Sequence, residues 1–145
     1  MAKFNFSLQK LLNFRKYHED ERARELSQIQ LKLEHENYQL KVLEETKKAL
    51  FTGNDFMKID LTSIRSSNEY LIQINAKMKV QKEKIIIVEK EVNEKRAILI
   101  LANQKKKSVE LLKENQVLAF KKEVNRIARI NEDEIASRII QTNGI

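Results

Sequence analysis

"FTGNDFMKIDLTS", residues 51–63, decides how this chain folds. It separates two long stretches in which apolar residues recur every three or four positions. Gly53 suits the left-handed conformation that ends a helix, and Asp60, Thr62 or Ser63 suits the cap that opens the next one. Upstream, one seam runs Leu8, Leu12, Arg15, Glu19, Arg22, Leu26, Ile29, Leu33, Glu36, Leu40, Leu43, Lys47, Leu50. Downstream, a second runs Leu71, Ile74, Met78, Gln81, Ile85, Val88, Val92, Lys95, Leu99, Ala102, Lys106, Val109. Alternating steps of three and four keep one face of a helix turned to a partner, which is the coiled-coil pattern.

The composition agrees. The 145 residues include no proline and two glycines, 34% are charged and 6% aromatic, so the turn punctuation that sheets require is missing. The most abundant types are good helix formers, because they lose little rotamer freedom in a helix. The expected fold is all-α: an elongated antiparallel two-helix coiled coil, a hairpin, with a C-terminal overhang. As one domain over 1–145, it would place helix one at about 4–51, the loop at about 52–61 and helix two at about 62–141.

With the turn centred near residue 56, Leu50 would face the region of Ile64, and Leu8 that of Lys106. Arg15, Glu19 and Arg22 interrupt the first seam in succession, so apolar contact should weaken there, through cross-seam charge pairing or splaying of the helices. The second helix outruns the first by about 30 residues, roughly 45 Å at the standard rise. That overhang carries Val109, Leu112, Val117, Phe120, Val124, Ile127, Ile130 and Ile135 without an internal partner. An isolated helix is marginal in water unless an apolar face packs on something, so the overhang should fray, dimerise or dock.

Enzyme chemistry finds no foothold. The glycines stand alone at 53 and 144, which rules out a glycine-rich phosphate loop. His18 and His35 lie about 25 Å apart along one helix, too far to share a metal. The acidic "NEDE", Asn131 to Glu134, lacks the water-restricted cleft that acid–base catalysis needs. No catalytic residue, metal or cofactor is expected. With no cysteine, there is also no disulfide framework. The N-terminus shows no secretory h-region and no apolar run is long enough to span a bilayer, so the expected location is the cytosol.

The net charge of +7 divides as +2 over residues 1–50, +5 over 51–109 and zero over 110–145. Its centre, Lys77, Lys79, Lys82, Lys84 and Lys105 to Lys107, goes round the helix without interleaved aromatics. A solvated basic face or an acidic protein partner fits this better than nucleic acid. Phe4, Leu8, Leu11 and Leu12 form an amphipathic patch, suited either to a membrane surface or to a hairpin end packed on the overhang.

These residues resemble a known family. "FNFSLQKLLNFRKYHEDE", with Phe6, Leu8, Gln9, Leu11 and Leu12, is similar to the opening of flagellar export FliJ proteins. "NEYLIQINAKMKVQKEKI" resembles the start of that family's second helix, and "LLKENQVLAFKKEVNRIARINEDEIA" its C-terminal stretch. The resemblance implies a non-enzymatic helical hairpin of the type III export apparatus, acting as central stalk of the export ATPase. The end made by the two termini would enter the FliI ring through Phe4, Leu8, Leu11, Leu12, Val117, Phe120, Val124, Ile127 and Ile130. The opposite end would contact the export gate FlhA through Tyr70, Leu71 and Ile74, although Leu71 and Ile74 also fit the seam. Export chaperones are further implied partners. The implied location is the inner face of the cell membrane at the flagellar base, with only peripheral membrane contact. A virulence-type secretion stalk, a coiled-coil scaffold or homodimer, and a basic nucleic-acid-associated coiled coil are the alternative readings.

Overall fold

The structure, a computed structural model, describes residues 2–52 and 60–144. Two helices account for nearly all of them: α1 (Gln9–Thr52) and α2 (Leu61–Asn143), packed against each other as an antiparallel hairpin. The described residues contain no strand. Gly53 and most of the connecting stretch lie outside the described residues. At its far side Asp60 occupies the N-cap position, its carbonyl accepting the Ile64 N–H at 3.1 Å and the Ser63 hydroxyl at 2.8 Å.

Burial follows both seams. On α2, Ile74, Gln81, Ile85, Val88, Val92, Ala102 and Val109 are buried, and Leu71, Met78, Lys95, Leu99 and Lys106 are half-buried between them. On α1 the corresponding set is Leu12 and Leu26, with Ile29, Leu33, Leu40 and Leu43 half-buried. The contacts group into two packed units, one of residues 20–100 and one of residues up to Glu19 together with those from Leu101 onward.

In the unit of residues 20–100, Leu26, Val88 and Val92 form the centre, flanked by Ile29, Leu33 and Leu99. Burying each such side chain contributes roughly 1.5–3 kcal/mol. The polar seam positions find each other. Gln81 donates to the Glu36 carbonyl at 2.9 Å and to the Glu36 carboxylate, and Lys95 reaches Glu25 at 3.2 Å. Glu25 also accepts from Arg22 at 2.8 Å. Lys95 and Arg22 hold the Glu25 carboxyl below its ordinary value.

The other unit joins the chain's N-terminal arm and the start of α1 to the second half of α2. Phe6, Leu12 and Val109 form its core, with Phe4 and Leu11 against it. Helix α1 starts at Gln9, several residues later than the periodicity suggests, because "FNFS" holds aromatic, Asn and Ser residues of modest helix propensity. The non-helical arm lets two aromatics reach α2. Phe6 is buried beside Val109 with Lys113 Nζ 5.9 Å from its ring centroid, and the Phe4 and Phe120 rings lie 5.6 Å apart, tilted by 55°. Val109 is thus a core residue and does not belong to the overhang.

The interrupted stretch pairs across the seam. Glu19 accepts Lys106 at 2.8 Å and Asn103 at 3.1 Å, while Arg15 donates to the Lys105 carbonyl at 2.8 Å. The register differs from one centred on residue 56. Lys106 meets Glu19 instead of Leu8, and the residue beside Leu8, Gln9, accepts from Lys113 at 2.8 Å. At Gln9 and Lys113 the shift is about two helical turns, and at Glu36 and Gln81 it is less than one. Ile64 is 52% exposed, and residues 61–66 of α2 are all exposed. Matching of polar seam partners, which apolar periodicity alone does not encode, accounts for the slide.

Lys106 first, and Asn103 with it, holds the Glu19 carboxyl below its ordinary value of 4.5. A depressed carboxylate contributes stability above that value and loses it as the pH falls through the folded one. Replacing Glu19 by Gln is expected to lower stability at pH 7 by about 1–2 kcal/mol. In urea melts the difference from the parent should shrink progressively as the pH falls below 4.5.

Candidate functional site

Two surfaces stand out, one in each packed unit. On α2 the partner supply stops at Phe120, which meets Phe4. Every described residue from 121 to 144 is exposed. About 35 Å of helix therefore stands without internal cover. Its apolar residues keep the helical spacing of the seam: Val124 is 40% exposed, Ile127 47% and Ile130 43%, with Ile135 and Ile139 further on. Ion pairing here is within one helix, Arg126 to Glu123 at 2.6 Å, which lowers the Glu123 carboxyl and raises the Arg126 guanidinium.

The sequence-derived end-face residues separate by role. Leu12 is sealed in the core and Phe4, Leu11, Val117 and Phe120 are half-buried around the arm, whereas Leu8, Val124, Ile127 and Ile130 face outward. Leu12 therefore serves the hairpin itself, and the exposed members are the ones left accessible.

At the other end Phe51, Leu61, Ile64 and Tyr70 are exposed. Of the three residues singled out there, Tyr70 is accessible, Leu71 is half-buried and Ile74 is buried in the seam. Tyr70 is the member able to touch a partner without opening the hairpin.

A third feature escaped the periodicity. Ile72, Val80, Ile86, Ile87, Ile98 and Leu101 are exposed on α2. Runs such as "KIIIVE" and "AILILA" supply more apolar residues than one seam uses, and that excess is the signal that could have revealed them.

The described residues hold no group of three His, Cys, Asp or Glu placed for a metal ion, and no helix among them is long and apolar enough to cross a membrane. His35 contacts Gln39 at 3.0 Å and His18 stacks on Phe14 at 6.1 Å, both neighbours on α1. Of the lysine run 105–107, the middle member turns into the seam to pair with Glu19.

With this geometry, comparison with protein families becomes decisive: the family described as Flagellar FliJ protein matches residues 4–144. The chain belongs to the FliJ family. It is thereby a component of the flagellar export apparatus, in a family that is non-catalytic. Comparison with curated proteins and with solved structures returns no match. The FliJ match runs through the arm, both helices and the uncovered end of α2, so the two exposed ends are part of the family's own extent.

Amide hydrogen exchange in dilute solution should separate the covered and uncovered parts of α2. Amides of residues 121–143 are expected to exchange much faster than those of residues 74–109, because no tertiary contact protects them. Equal protection along the whole helix would contradict the absence of internal cover.

Proposed function

We propose that this FliJ-family protein acts as the central stalk of the flagellar export ATPase and couples it to the export gate. The observation that carries the reading is the apolar stripe on α2 beyond Phe120, exposed at Val124, Ile127 and Ile130 on a stretch of helix with no packing partner among the described residues. A face of that kind gains from being enclosed, and a ring encloses a single helix from all sides. Leu8 and the arm, with Phe4 on Phe120, widen the same end.

A stalk of this kind needs no catalytic group. One asymmetric chain inside a ring of identical subunits touches them unequally, and a ligand shifts an equilibrium only by binding one state better than another. Unequal contact with the FliI subunits therefore biases their nucleotide states. The opposite end, through Tyr70 with half-buried Leu71 beside it, would contact the gate FlhA. Ile74 supports that end from within the seam. Export chaperones are further partners on this reading, and the working place is the inner face of the cell membrane at the flagellar base.

Titrating the chain into its cognate ATPase is expected to raise hydrolysis. Val124→Asp with Ile127→Asp should reduce that stimulation by about tenfold or more in apparent affinity, since each places a charge where apolar burial is required. Both positions are exposed, so circular dichroism should report an unchanged hairpin. Tyr70→Ala should leave stimulation intact and weaken gate binding. Confirmed ATPase binding without any stimulation would sink the coupling role.

A further inference from the structure

The uncovered end of α2 carries its charges in two blocks. Residues 121–129 hold four basic side chains and one acidic, and residues 130–138 hold three acidic and one basic. The apolar stripe runs through both blocks. The single acid of the basic block, Glu123, is already engaged by Arg126 at 2.6 Å. A helix face with opposite charge at its two ends complements a second copy of itself when the copies run antiparallel, and repels it when they run parallel.

We infer that this segment pairs with the same segment of a second chain, antiparallel, about a two-fold axis near Ile127 and Ala128. That axis sets Phe120 level with the second copy's residue 135, an isoleucine, Ile127 level with its residue 128, an alanine, and Val124 level with its residue 131, an asparagine, so the first two levels are apolar on both sides. Lys121 comes level with residue 134 of the other copy, which is acidic, and the basic block as a whole lies along the other copy's acidic block, although Lys122 and residue 133, each two positions from the stripe, turn away from the seam. Parallel pairing in register would put Lys121 and Lys122 against their own equivalents and residues 132–134 against theirs. The two-fold arrangement also satisfies the general requirement of a closed homodimer, in which one patch recognises itself.

The self-pairing does not rest on the proposed ring docking, but it uses the same stripe. A copy and a ring cannot occupy Val124 and Ile127 together, so the dimer would be the form of the chain when no ring is available, dissolved by mass action when one is.

The test uses the chain alone. Sedimentation equilibrium from about 1 µM to about 1 mM should move the mass from 17.1 kDa toward twice that value. Ile127→Asp should weaken pairing at least about tenfold. So should Lys121→Glu with Lys122→Glu, which leaves the stripe intact. Adding a Glu132→Lys, Asp133→Lys, Glu134→Lys chain to that acidic variant should restore pairing between the two. The parent chain has no cysteine, so single engineered thiols report orientation. Ala128→Cys should cross-link to itself, and Lys121→Cys should cross-link to Glu134→Cys and not to itself. A monomer at every concentration, or self-cross-linking of Lys121→Cys as fast as that of Ala128→Cys, would overturn the proposal. Failure here would leave ATPase stimulation untouched, and loss of stimulation with self-pairing retained would count against the stalk alone.

Discussion

The constraint on which the rest depends is a mismatch of supply. α2 keeps an apolar face at helical spacing from Leu71 to beyond Ile130, while α1 and the arm together cover it only as far as Phe120. A helix gains little stability from propensity alone, so its uncovered part depends on whatever it meets. Non-helical residues ahead of Gln9 make the cover reach further than α1 itself. Phe4 and Phe6 cap the last covered turns with aromatic area instead of another helical turn.

The covered part is specified by polar matching as much as by apolar burial. Leucine, isoleucine and valine along a heptad seam accept many registers of similar energy, because one methyl surface resembles another. Glu19 with Lys106 and Asn103, and Gln81 with Glu36, do not. A slide by one heptad would leave half-buried charges and an amide without partners, at a cost of about 1–3 kcal/mol for each unsatisfied group. These contacts add modest stability and considerable selectivity, the role polar residues commonly take in coiled-coil cores.

This explains what could be read from the sequence and what could not. Seam membership was legible nearly residue by residue, since burial at Ile74, Gln81, Ile85, Val88 and Val92 follows directly from the three-four spacing. Register was not, because it depends on pairwise partners across the seam; centring the turn at residue 56 set Lys106 level with Leu8, whereas it pairs with Glu19. The arm was missed for a related reason. Phe4, Leu8, Leu11 and Leu12 read as one helical patch only if the helix is assumed to continue through Asn5 and Ser7, whereas α1 starts at Gln9. At the candidate site, the exposed stripe was legible as periodic isoleucine and valine. The division between buried Leu12 and Ile74 and exposed Val124, Ile127 and Tyr70 was not, because residues of the same apolar type occupy covered and uncovered positions.

That shared face links the hairpin to its function. A seam position is apolar whether its partner is the same chain or another one, so the border between folding and binding is set by where the internal partner ends. Moving that border would require lengthening or shortening the arm and α1, with α2 left as it is. A chain with a longer arm would hold Val124 and Ile127 as firmly as it now holds Val109, and would be more stable and less able to engage anything else. Stability of the free chain and availability of the stripe are opposed by construction. The covering of α2 stops at Phe120, where the arm's first aromatic is spent, and the described residues beyond are exposed.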